Sequence, residues 1–176
     1  MAKAKEIANE ALHAQLYDVM EKYHPDLFEA EVKVTIFLVT SVDKFGNVLD
    51  EPSLKVRGQT CLAIIRKANQ REIGLGCGDV VLEIDGTMWY KKDGLSSEVK
   101  IATLDHELCH IDLKRDKEDE IVLTHLDRPA LKTVHHDVEA GIFFNVVSRH
   151  GLNSIDYRIV SKTLTKMDDI LASKES

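Results

Sequence analysis

The sequence predicts an α+β fold: a small mixed β-sheet of three or four strands packed with an N-terminal helix and two histidine-bearing helices. Three observations carry this. Apolar residues recur at helical spacing over residues 3–23; β-branched and apolar runs at about 31–40, 60–67 and 79–85 have the length and composition of strands; and the stretches 101–114 and 134–150 return to helical spacing. A chain of 176 residues, 44% apolar and 30% charged, suits one domain with a real core, taken as 1–176 with its centre at about 30–155.

In the first element, Ile7, Ala8, Ala11, Leu12, Leu16, Val19, Met20 and Tyr23 form one helical face, and Pro25 stops the pattern. His13 and His24 have no partner at ligand spacing and are given no role. Val32, Val34, Ile36 and Leu38 on one parity, with Phe37 and Val39 on the other, read as a central strand buried on both faces. Phe45-Gly46-Asn47 is a turn signal, and a polar loop runs through Gly58 to the strand at 60–67. Gly74-Leu75-Gly76-Cys77-Gly78 lacks the spacing of a dinucleotide loop, and a strand follows it rather than a helix, so it reads as a flexible connection. Asp79 to Asp85 is that strand, and Gly86 ends it. A polar segment with Trp89 and Tyr90 leads to the next helix, capped by Ser96 or Ser97 with Glu98 in its first turn.

The helix at 101–114 is centred on His106-Glu107-Leu108-Cys109-His110. Residues four apart share a helix face, so both imidazoles can reach one ion while Glu107 points beside it. This is the geometry of a zinc hydrolase: two histidines bind, water takes the open position, and the carboxylate accepts the water's proton. Ile101, Leu104, Leu108 and Ile111 give the helix an apolar stripe, which argues against a merely solvated face. Asp105 or Asp112 could orient a ligand imidazole.

Beyond it, Arg115 to Glu120 is a charge run that reads as a solvated turn, because the glycine and terminal glutamate spacing of a calcium loop are absent. Ile121 to Leu126 is a candidate short strand with His125 facing solvent. Val134, Val138, Ile142 and Val147, with Phe143 and Phe144, predict a second helix that ends at Gly151. It presents three candidates for a third ligand: His135, His136 and Glu139. Spacing does not choose among them, although adjacent helical histidines face about 100° apart, so only one of that pair can point at the ion. A helical tail is expected at about 156–173.

The net charge of −7 disfavours a large phosphate-binding surface, so nucleic acid is not the expected partner. No apolar run approaches the ~18 residues of a membrane span, and no secretory pattern opens the chain. A cytoplasmic location is therefore expected. The three cysteines, Cys61, Cys77 and Cys109, are odd in number and widely spaced, which fits reduced thiols rather than disulfides or ligands.

Leu104-Asp105-His106-Glu107-Leu108-Cys109-His110, with His136-Asp137-Val138-Glu139 and Arg149-His150-Gly151-Leu152, resembles the putative phage metallopeptidase family. It is more distantly similar to SprT-like and other minimal zinc proteases, over roughly residues 30–155. The resemblance implies a minimal zincin-like fold, zinc held by the two helix histidines and a downstream histidine, and phage or prophage origin, hence the host cytoplasm. In such zincins a short spacer and an aromatic residue follow the third histidine, a pattern that maps best onto His136. Ala140-Gly141 stands where relatives carry an acid and an aromatic, which keeps His135 and Glu139 open. In small zincins the strand before the metal helix lies at the rim of the cleft, where an extended peptide adds to its edge; residues 79–85 take that role here.

The expected function is a zinc-dependent metallopeptidase acting on a protein or peptide through a zinc-activated water, with His106, His110 and His136 as ligands and Glu107 as general base. Tyr157 and His150 are candidate oxyanion donors. Two alternatives stand beside it. One is a catalytically silent, zinc-stabilised binding module of phage origin acting on a host protein. The other is a zinc-dependent endoribonuclease, disfavoured by the acidic charge and by the glutamate between the histidines.

Overall fold

Asn9 decides where the first helix starts and how the chain enters the sheet. In the computed structural model, which describes residues 2–56, 58–92, 94–136 and 142–161, Asn9 Oδ1 accepts from the Leu12 N–H at 3.0 Å and begins α1, Glu10–Tyr23. The helix expected over 3–23 is therefore shorter. Its first residues form β1, Ala2–Ile7, an exposed strand antiparallel to the strand at residues 34–42. These residues bury little in either conformation, so the open sheet edge, which offers backbone partners that a fraying turn lacks, decides the outcome. Lys3 and Lys5 discourage a further strand from adding to the outer edge.

α1 buries Leu12, Leu16, Val19 and Met20, and Pro25 ends it while opening the short α2, Pro25–Glu29. β2, Val34–Val42, follows. A hairpin of β3 (Lys55–Val56) and β4 (Gln59–Thr60) precedes β5 (Ala63–Lys67), α3 (Gln70–Gly74) and β6 (Val80–Asp85). β2 runs parallel to β6 and β5 antiparallel to it, giving a mixed sheet of order β1-β2-β6-β5. β2 is thus interior, with Ile36 and Val39 fully buried on opposite faces.

This order corrects the expectation for residues 79–85. β6 is covered on both edges, and the strand at the open edge near the histidines is β5. Chain order put 79–85 next to the histidine helix, but the strand before it in sequence took the outer place. Two glycines of the 74–78 segment have a backbone role, Gly76 at φ 90° and Gly78 by close approach. A side chain on Gly78 would collide with the carbonyl of Lys33, where the chain enters β6 beside β2.

α4, Gly86–Trp89, is capped by Asp85, and Trp89 is buried in the core rather than lying in a polar segment. Ser96 caps α5, Ser97–Leu108, with Glu98 in its first turn. α5 is earlier and shorter than the stretch 101–114. Ile111 and Leu113 alternate with Asp112 and Lys114, and this period of two is met by pairing β7, Ile111–Leu113, with β8, Leu131–Thr133. The arm between them is solvated, as expected of the charge run, with His125 exposed. The strand expected at 121–126 is reduced to the isolated bridges Arg115↔Ile121 and Leu123↔Pro129.

The second histidine-bearing helix is also corrected. Residues 134–136 are irregular, residues 137–141 lie outside the described residues, and α6 comprises only Phe144–His150, with Gly151 at its C-cap at φ 51°. Pairing of Leu131–Thr133 with β7, continued by the Val134 N–H to the His110 carbonyl, draws this backbone into a ladder rather than a helix. A 3₁₀ turn, Gly151–Asn153, follows, and residues 155–161 are helical. The remainder of the tail expected to 173 lies outside the described residues. The architecture is mixed α+β, with a small mixed sheet and several helices around one apolar cluster that joins α1, the sheet, α5, β7 and β8.

Candidate metal centre

His106 stands in the last turn of α5, and His110 just beyond its end, where the His110 N–H still reaches the Glu107 carbonyl at 3.0 Å. The β7–β8 ladder then runs one pair further than its strands: Val134 N–H donates to the His110 carbonyl at 2.8 Å, and His110 Nδ1 meets the Val134 carbonyl at 3.0 Å. Two residues on, His136 comes back over α5. Its Nε2 lies 3.3 Å from His106 Nε2, and one ligand atom from each of His106, His110 and His136 lies within 4.8 Å of the others.

Each imidazole of the helix pair is oriented from behind. His106 Nδ1 lies 3.0 Å from both oxygens of Asp156, a fully buried carboxylate that also accepts the Phe143 N–H at 2.7 Å. With Nδ1 donating to a carboxylate in one case and a carbonyl in the other, Nε2 of each ring carries the lone pair a metal needs. The arrangement fits zinc: four ligands at ~2.0–2.1 Å in a tetrahedron are separated by about 3.3–3.4 Å, close to the 3.3 Å between His106 and His136. The Phe143 ring lies 4.9 to 5.3 Å from all three imidazoles and walls one side with apolar surface.

The electrostatics follow from burial. Desolvation alone would lower the pKa of His106, but the Asp156 hydrogen bond and the charges of Glu107, Asp156 and Asp105 outweigh it and raise the value. Desolvation wins at His110, which is lowered despite its bond to Val134. Asp156 is held below the usual carboxylate range: desolvation pushes it up, and His106 and the Phe143 N–H more than compensate. Glu107 goes the other way. Its side chain is nearly buried, Oε2 accepts the Ile65 N–H of β5 at 2.9 Å, and desolvation raises its pKa against the opposing pull of His106 and that N–H.

Of the three candidates for the downstream position, the structure brings His136 to the pair, leaves His135 exposed, and does not describe Glu139. Asp105 and Asp112 do not orient the imidazoles. Asp112 pairs with Lys132 at 2.9 Å. Asp105, about 100° around the helix from His106, is fully buried and lies 2.7 Å from His24 and Arg149 and 2.9 Å from His150. His24, which has no role in the sequence reading, and His150, a candidate oxyanion donor there, are both committed to Asp105. Together with Arg149 they tie the α1–α2 corner and α6 to α5. Cys109 could complete a second donor group with His24 and Asp105. Arg149 already neutralises that carboxylate, however, and burial pushes the Cys109 thiol up to about 12, well away from a thiolate ligand.

Asp156 is the residue that sequence reasoning missed. Ser154 accepts the Tyr157 N–H at 2.9 Å and so marks a helix start that could have been read, but nothing in the spacing ties that helix to His106, fifty residues earlier. Tyr157, the next residue of the helix, faces about 100° away from Asp156. Because a carboxylate behind a ligand histidine fixes its tautomer and basicity, Asp156→Asn is expected to weaken metal affinity by about 10- to 100-fold with the fold retained. Competition with a chromogenic chelator measures this, and unchanged affinity would remove Asp156 from the site.

Three convergent imidazoles beside a buried glutamate of α5, on an α+β frame, define a candidate metallohydrolase. The chain belongs to the Putative phage metallopeptidase family, whose family model matches residues 4–168. No curated protein and no solved structure matches the chain.

Proposed function

We propose that the chain is a zinc-dependent metallopeptidase, with a zincin-like site in which His106, His110 and His136 hold the metal and Glu107 is the general base. The observation that carries this is the convergence of the three imidazoles, with Nδ1 of His106 and of His110 engaged behind, next to a carboxylate whose pKa burial has raised. Bound there, zinc supplies Lewis-acid polarisation of a carbonyl and a water that ionises near neutral pH. Glu107, made more basic by desolvation, takes the proton released in the attack and passes it to the leaving amine. The Ile65 N–H steadies one carboxylate oxygen and leaves the other for that transfer.

β5 offers the place for a substrate backbone. The pairs Leu62–Asp85 and Ala68–Asp79 are hydrogen-bonded, so by alternation the backbone groups of Ala63, Ile65 and Lys67 point away from β6, the Ile65 N–H among them already taken by Glu107. An extended peptide can add there, within reach of Glu107. A peptidase family implies a protein or peptide substrate. No helix among the described residues is long and apolar enough to cross a membrane, and we take the chain to act as one domain in the host cytoplasm.

One zinc per chain is expected, lost on chelation or below about pH 5 as the imidazoles protonate. The direction follows from the ligands. His106, raised above its ordinary value, competes for protons before His110, which is lowered, whereas Asp156, held low, stays ionised through that window. Elemental analysis of protein purified without chelator checks the stoichiometry, and absence of any transition metal would count decisively against the site. Turnover by wild type and not by Glu107→Gln is the test of the enzyme itself.

A further inference from the structure

We propose that the cavity at the end of β5 is a specificity subsite for an acidic side chain of the substrate, a deepening of the peptidase reading that rests on it. The cavity, of about 520 Å³, is lined by Lys67 from β5, Lys114 and Arg128 from the arm, and the apolar side chains of Ile73, Leu126 and Leu131. Cations elsewhere on this acidic chain are commonly paired, as in Lys5–Glu83, Arg66–Glu72, Lys91–Asp50 and Lys132–Asp112. Here three cations face one acid, Asp79, which is taken by Arg128. Lys67 and Lys114 form no ion pair with any described residue; the Lys67 ammonium bonds the Leu131 carbonyl at 3.4 Å. A glutamate fits this combination, its methylenes against the aliphatic side chains and its carboxylate between the two lysines.

Position connects the cavity to the reaction. Lys67 lies two residues along β5 from Ile65, whose N–H holds Glu107. At ~3.3 Å per residue, the cavity begins roughly 7 Å along the edge from that anchor, so a peptide extended on β5 would present a side chain to it roughly two to four residues from the cleaved bond. The other wall belongs to the same hairpin that delivers His136, with Leu131 opening β8. The subsite therefore shares β5 with the anchor of Glu107 and the hairpin with His136.

The test uses zinc-loaded Glu107→Gln protein, which can bind without consuming, and extended peptides of one sequence that carry Glu, Gln or Lys at each position in turn. Glu is expected to be preferred over Gln at one position by about five- to tenfold, the scale of a partly exposed charge contact to more than one cation, and the preference should shrink as salt rises. It should disappear in Lys67→Glu/Lys114→Glu. Equal affinity for Glu and Gln at every position, or a preference untouched by the double substitution, overturns the proposal. Wild type is run in parallel on a host-cell extract, with new N-termini sequenced. Cleavage without an acidic bias overturns the subsite and leaves the peptidase reading intact. A lysine-dependent Glu preference in a protein that cleaves nothing leaves the acidic-peptide site standing and removes the peptidase reading.

Discussion

Glu107→Gln is expected to retain zinc and fold while losing peptidase turnover by about 10²- to 10⁴-fold, the contribution of a positioned general base. The replacement is isosteric, and Gln can still accept the Ile65 N–H through its carbonyl oxygen. The sign of the stability effect is also set. A carboxylate whose folded pKa lies above its unfolded value is disfavoured in its charged form by the fold, so removing that charge relieves a cost present at neutral pH. The metal-free variant should therefore unfold at the same temperature as wild type or higher, which separates lost chemistry from lost structure. Host-cell extract is the fair substrate, since neither the acidic chain nor the family names a target. A zinc-loaded wild type whose cleavage profile matched that of the variant across several extracts would sink the protease reading and favour a zinc-stabilised binding module.

His136→Ala should abolish stoichiometric zinc, and His135→Ala should leave most of it. The structure turns His136 to His106 and His110 while His135 is exposed. Two imidazoles and water bind far more weakly than three imidazoles, so the first variant should lose its metal during ordinary purification. The reverse result would move the ligand role to His135. Metal loss confined to Glu139→Gln would put a glutamate in its place.

The helix pair was legible because its information is local. A spacing of four on a helix puts His106 and His110 together whatever the rest of the chain does, and the Ser96 cap and the apolar stripe of α5 are written within a dozen residues. The core strands at 34–42, 63–67 and 80–85 were legible for the same reason, since runs of branched apolar residues fit a sheet buried on both faces. The sequence also pointed to the His136 region, but through the wrong local structure. Val134 to Val147 has helical spacing, yet the chain spends its first part extending a ladder with β7, because backbone groups near the core need partners more than an isolated helical turn would offer.

By itself, then, the sequence determined an α+β chain with a histidine–glutamate–histidine helix and a short set of candidates for a third ligand. The tertiary structure decided which strand borders the site, that His136 rather than His135 turns inward, and that Asp156 and the Val134 carbonyl stand behind the imidazoles while Asp105 serves a separate clamp of His24, Arg149 and His150. The division has one physical cause. Periodicity and capping depend on neighbours a few residues apart, whereas strand order, the reach of a hairpin and the pairing of a buried carboxylate depend on segments whose sequence separation carries no information about their distance in space.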